Sequence, residues 1–158
     1  MSRDGTPLNI FQVLSHHPKM MKRFNQFGGF ILNKGLLPAR EREIVILRVG
    51  WNAQALYEFG QHTDIGLRCG LTTEEIAGLA GADHAWSNDD RLLIALADDL
   101  CADDCVTDAT YAGLVERWNE AELMELVVTA GFYRMVSGFL NTFGIQLDEG
   151  VPGWPTTG

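Results

Sequence analysis

REREIVILRVGW at Arg40–Trp51, followed by ALYEFGQHTDIGLRCG at Ala55–Gly70, decides how this chain folds. Both segments are apolar over most of their length, and neither shows the period-two alternation of a half-buried strand. The short connection at Trp51-Asn52 predicts two helices folded back on each other as an antiparallel pair. Ionisable groups fall where such a pair is dry: Glu43 in the first segment, Glu58 and His62 in the second. Glu58 and His62 are four residues apart and share a helix face. Glu43 stands nineteen residues before His62, and a helical hairpin returns it to the same place. A carboxylate beside an imidazole is an acid–base pair, and burying one is costly. An E-x-x-x-H pair is also an ordinary helix ion pair worth a few tenths of a kcal/mol. Here the apolar neighbours Phe59, Ile65 and Leu67, and the run Ile44–Val49 broken only by Arg48, favour a dry site.

Outward from this pair the chain reads as helix throughout, about seven to eight in all, which predicts an all-α bundle. Asn9 is placed to cap a short helix through His16, and Pro18 to open a second through Ile31. Gly28-Gly29 inside the second suggests close packing of another backbone. Pro38 opens the third helix, and the fourth covers about Ala53 to Arg68, with Gly70 suited to the left-handed residue that closes it. Thr72 with Glu75, and Asn119 with Glu122, have the spacing of capping boxes; Ser87 or Asn88 and Thr107 are further cap candidates. The last segment, to about Phe143, is apolar nearly all round, so it must be central or covered by another subunit. Residues 1–147 are expected to form one domain and residues 148–158 an extended arm, whose Trp154 hints at draping over a neighbour.

Composition excludes several classes of function. At 158 residues and 46% hydrophobic content the chain suits one compact domain. Its net charge of −9 argues against nucleic acid or an anionic membrane as the main partner. No segment is expected to reach the roughly 18 apolar residues of a membrane span, and MSRDGTPLN lacks the apolar core of a signal peptide. A cytoplasmic location is therefore expected. Cys69, Cys101 and Cys105 are odd in number and lack C-x-x-C spacing, which fits a reducing compartment and structural thiols.

Taken in order, LPAREREIVILRVGW (Leu37–Trp51), YEFGQH (Tyr57–His62) and GLTTEEI (Gly70–Ile76) resemble the carboxymuconolactone decarboxylase family, which shares its fold with AhpD-like alkyl hydroperoxidases. The resemblance extends weakly from NIFQVLSHHP at Asn9 to Leu147, and it implies an AhpD-like helical bundle that assembles as a homo-oligomer, a trimer or hexamer. In the peroxidase branch a Glu is followed by C-x-x-C-x-x-x-H. Glu43 and His62 match the Glu and His, while Ala55 and Glu58 occupy the two cysteine positions. Without a thiolate the usual attack on peroxide has no nucleophile.

Glu at the second position is similar to the decarboxylase side of the family, where acid–base chemistry acts on a small lactone acid without metal or organic cofactor. The resemblance thus implies Glu43, Glu58 and His62 as catalytic groups, acting on a small acid or lactone. Arg48 and Arg134 interrupt apolar helices and are the candidates for clamping a substrate carboxylate. Trp51, Tyr57 and Gln61 are the candidate pocket walls, with ordinary core packing the plain alternative for the aromatics. Glu43, Glu58 and His62 also supply three possible metal ligands, although stronger metal signatures place two His on one helix face or bring Cys.

Overall fold

The computed structural model describes residues 5–155, and among these it contains eight helices and no strand. They are α1 (Asn9–Leu14), α2 (Pro18–Asn33), α3 (Ala39–Asn52), α4 (Leu56–Arg68), α5 (Thr73–Leu79), α6 (Asn88–Ala102), α7 (Asp108–Arg117) and α8 (Glu120–Thr142). The local signals act as expected at most boundaries. Pro18 stands at the start of α2, where the His17 ring accepts from the Met20 N–H. Thr72–Glu75 and Asn119–Glu122 close reciprocal capping boxes, and Ser87 and Thr107 cap α6 and α7. Gly70, at φ +97°, ends α4 in the left-handed region.

α3 is the centre of the bundle, packed by α4, α6 and α8. Ile44, Val45, Ile46, Leu47 and Val49 are all fully buried, so this helix is apolar on every side because every side is covered. α3 and α4 pair as a hairpin, and at Gly50 a side chain would stand only 3.4 Å from the Phe59 backbone nitrogen. Their turn comes later than expected: α3 runs on to Asn52 and α4 starts at Leu56, because Ala53–Ala55 form the reversal, with Gln54 at φ +49°. The Gln54 amide donates to the Trp51 carbonyl (2.8 Å), and Asn141 of α8 donates to the Ala53 carbonyl (2.9 Å), holding a backbone shape unusual outside glycine.

Several expectations are corrected. Asn9 is the first residue of α1 and not its cap, and α1 ends at Leu14. The Asn9 N–H donates instead to Asp148 Oδ1 (2.9 Å), a cap supplied from the far end of the chain. Gly28 faces the ring of Phe132 and Gly29 faces open space, so the glycine pair makes room beside a cavity and not for another backbone. By length and composition α8 does reach the span of a bilayer. It lies along the bundle with one face buried, through Leu123, Leu126, Ala130, Tyr133, Val136 and Leu140, and the other exposed, through Met124, Val128 and Met135.

The arm, as far as Pro155, lies against its own chain. Trp154 meets Trp51 edge-on (5.2 Å between centroids) and Phe59 at 5.1 Å. Gly60 permits this course, because a Cβ there would lie 2.4 Å from the Pro152 carbonyl oxygen. Asp148 anchors the start of the arm: it is buried, and it accepts from the Tyr57 hydroxyl (2.5 Å), the Gln61 amide (2.6 Å) and the Asn9 N–H.

Candidate active site

The hairpin brings Glu43 of α3 against His62 of α4, with the carboxylate Oε2 2.6 Å from the ring Nδ1. The other ring nitrogen, Nε2, lies 3.0 Å from Glu58 Oε1, one helical turn before it. Behind Glu43, Arg42 donates from Nε to Oε1 at 3.0 Å, and its second nitrogen lies 3.0 Å from the same oxygen. All four side chains are buried: Glu43 is 0% exposed, His62 4%, Glu58 5% and Arg42 7%. The order Arg42–Glu43–His62–Glu58 is thus a continuous line of charged and hydrogen-bonding groups.

Such groups persist in a dry interior only when each meets an opposite charge or a hydrogen-bond partner. Burial by itself would push the Glu43 carboxyl up, but the charge and hydrogen bond of His62, then those of Arg42, hold it below its ordinary range. Burial by itself would lower His62, yet the two flanking carboxylates, Glu43 foremost, push it up to about 10. The ring is therefore an imidazolium across the neutral range. Two carboxylates face two cations along the line, and both ring nitrogens are turned to carboxylates, which leaves no lone pair for a metal. Among the described residues no group of three or more His, Cys, Asp or Glu is arranged to hold one.

The outer end of this line opens on a cavity of about 280 Å³ between α1, α2, α4 and α8. Glu58 and His62 of α4 form most of its polar wall, with Tyr57 and Gln61 beside them and Asn25 contributed by α2. Phe11, Phe24, Leu32, Ile65, Phe132 and Val136 make the rest largely apolar. Glu43 lies behind His62, away from the cavity, so it can act on a ligand only through the ring.

The structure separates the other candidates. Tyr57 and Gln61 line the cavity, each also bonded to Asp148. Arg48 does not line it: its guanidinium binds Asp98 at 2.5 and 2.9 Å and the Leu79 carbonyl at 3.0 Å, clamping α3 to α6. Arg134 lies on the exposed side of α8 and donates to the Leu100 carbonyl, so neither arginine is a carboxylate anchor for this cavity. Trp51 packs against Phe59 and Trp154 and is wall to the arm, not to the cavity. No cysteine lines the cavity either; Cys69 follows α4, Cys101 is in α6 and Cys105 is exposed.

Three contributors escaped the sequence reading. Arg42 was hidden in the alternating charges of RERE, where only the fold tells an inward arginine from an outward one. Tyr133 meets the His62 ring edge-on at 4.9 Å and lines the cavity. Its sole sequence signal was a phenol inside the most apolar segment, beside Arg134. Asp148 looked like the start of a loose arm.

The structure is thus an all-helical bundle in which a buried Glu–His–Glu line at a helical hairpin reaches the wall of a small, largely apolar pocket. Residues 18–98, just over half of the chain, match the carboxymuconolactone decarboxylase family, and the protein belongs to that family. Arg42, Glu43, Glu58 and His62 all fall inside the matched segment. Two solved structures share the fold. One is a protein of unknown function from Agrobacterium tumefaciens, described as a candidate antioxidant-defence AhpD (TM-score 0.79, 16% identity, covering 86% of this chain and 95% of that one). The other is the alkylhydroperoxidase AhpD core of an uncharacterized peroxidase-related protein from Ralstonia eutropha JMP134 (TM-score 0.80, 22% identity, covering 92% of this chain and 79% of that one). No curated protein matches the chain.

Proposed function

We propose that this protein is a cofactor-free acid–base enzyme that catalyses a decarboxylation, or a related lyase or isomerase step, on a small lactone or carboxylic acid. The observation that carries the reading is Glu58 on the wall of an apolar cavity, backed by His62 and Glu43. A decarboxylation whose substrate holds its own electron sink needs a cation to seat the carboxylate, a dry pocket and an acid that protonates the carbon receiving the electrons; the cavity supplies the last two, which favours a lyase or isomerase step on a neutral lactone. Glu58 is the group placed to exchange a proton with the ligand, and the imidazolium of His62 is the store that resupplies it. Glu43 and Arg42 hold the ring in place and balance its charge.

In the same reading the protein works in the cytoplasm as a homo-oligomer, a trimer or hexamer, with a small molecule as its partner and neither nucleic acid nor membrane. The exposed apolar face of α8, with Met124 63% and Met135 51% exposed, supports an assembly. A second reading, hydroperoxide reduction, draws on what the two solved structures are called. It is the weaker one, since Ala55 and Glu58 stand where the dithiol is needed. A non-catalytic binding or assembly role is a third reading; the polar identity of Glu43, Glu58 and His62 speaks for chemistry instead.

The deciding experiment screens small lactones and unsaturated acids for turnover by chromatography, alongside peroxide consumption. Turnover lost in Glu58→Gln and His62→Gln but kept in a triple serine variant at Cys69, Cys101 and Cys105 is the expected result. Peroxide consumption that disappears in the triple serine variant would replace this reading with thiol chemistry.

A further inference from the structure

We infer that the cavity selects a neutral, largely apolar ligand bearing a carbonyl-type oxygen, which the Tyr133 hydroxyl engages as donor, and that it rejects a carboxylate at that position. This rests on the acid–base reading of the site and narrows it: of the steps proposed above it keeps the lyase or isomerase step on a neutral lactone and sets aside the decarboxylation of a free carboxylate. The first ground is charge. Among the described residues no lysine or arginine lines the cavity, and the cations near it are committed: Arg42 to Glu43, and His62 to Glu43 and Glu58. A carboxylate entering here would leave water for an apolar wall and meet Glu58, a like charge, with no free cation to offset either cost.

The second ground is Tyr133. Its side chain is buried, lines the cavity and makes no hydrogen bond from its hydroxyl to any described residue. Burial, then the neighbouring Glu58 and Glu43 carboxylates, keep it a phenol well above the usual range, so it remains a donor. A phenol donor on the wall of an apolar cavity, with no partner among the described residues, favours a ligand that supplies an acceptor. Tyr57, the other phenol on the wall, already donates to Asp148.

The third ground is shape. Gly28 and Gly29 leave the α2 side of the cavity bare, and a Cβ at Gly29 would meet nothing within 4 Å. A larger residue there would project into free space beside the cavity without disturbing the helix, which makes Gly29 a test of where the ligand sits.

Three probes of nearly equal size separate the terms: acetophenone is neutral with an acceptor, benzoate carries the charge, and ethylbenzene has neither. Dissociation constants are measured by NMR shift titration at neutral pH, with no turnover needed. Acetophenone is expected to bind about tenfold or more tighter than benzoate, and several-fold tighter than ethylbenzene, the scale of one buried hydrogen bond. Tyr133→Phe should erase the gap to ethylbenzene, Glu58→Gln should narrow the gap to benzoate, and Gly29→Leu should weaken all binding. Benzoate binding as well as acetophenone, an acetophenone advantage that survives in Tyr133→Phe, or no measurable acetophenone binding at millimolar concentration would each overturn the inference. If the binding order holds while Glu58→Gln keeps full turnover, the pocket inference stands and the acid–base reading falls.

Discussion

Glu43 Oε2 reaches His62 Nδ1 at 2.6 Å across a helix junction where both side chains are buried. Glu43→Gln keeps the shape and removes the charge, leaving Arg42 buried without its counter-ion. Loss of one partner from a buried pair costs on the order of 3–5 kcal/mol. The same change should bring His62 down from about 10 toward its ordinary value, because Glu43 is the largest influence raising it. An NMR titration of the imidazole that found His62 unmoved would show that the pair is not coupled.

Stability should fall as the solution becomes alkaline. His62 is raised in the folded protein, so its contribution is complete below the unfolded value of about 6.5 and is lost as pH climbs toward about 10. Glu43 is lowered, so its contribution is present above the ordinary carboxyl range and is lost on acidification. The two describe one coupled pair and are not added. Urea midpoints should therefore decline between pH 6.5 and 10 in the native protein, and that decline should flatten in His62→Gln. Parallel pH profiles for both proteins would reject this account.

Glu58→Gln should leave the circular dichroism spectrum and melting curve close to native while turnover drops by about 10²–10⁴-fold, the scale of losing a general acid or base. His62→Gln should lower turnover comparably but also lower stability, because His62 is bonded on both sides and Glu58 on one. A Glu58 variant with near-native turnover would remove the cavity-facing carboxylate from the chemistry.

The signals that held in the sequence were local ones. Thr72 with Glu75, Asn119 with Glu122 and Pro18 act within one turn of helix, so their spacing is the whole interaction. Glu58 and His62 belong to the same class, and the hairpin that adds Glu43 followed from a short connection between two apolar helices. What escaped were pairings made by tertiary structure. Arg48 finds Asp98 fifty residues away, Tyr57 finds Asp148 ninety-one residues away, and no periodicity encodes either. Both pairings also explain the misassignments: an arginine amid apolar residues signals a buried partner without saying whether it is ligand or protein, and Asp148 sits in a stretch whose composition suggests no order.

Gly60→Ala should loosen the arm, since the new methyl would stand 2.4 Å from the Pro152 carbonyl. An overpacked contact of this kind costs about 1–3 kcal/mol, and it lifts Trp154 from Trp51 and Phe59. Tryptophan fluorescence should shift to the red and proteolysis after Asp148 should speed up; native-like emission and protection would show that the arm tolerates the methyl.

Light scattering at micromolar concentration should return a multiple of 17.5 kDa, with Met124→Glu and Val128→Glu together shifting it toward one chain. A native particle of 17.5 kDa would refute the assembly.

The cavity is built from two sources. Arg42, Glu43, Glu58 and His62 lie within residues 18–98, whereas Leu8, Ile10, Phe11, Phe132, Tyr133 and Val136 come from the segments on either side. The buried charged line and the α2 and α4 parts of the cavity wall are therefore encoded in one stretch of sequence, and the α1 and α8 parts of the wall in the stretches on either side of it. Substitutions in α1 and α8 can reshape the cavity wall while the buried line of Arg42, Glu43, His62 and Glu58 keeps its own partners.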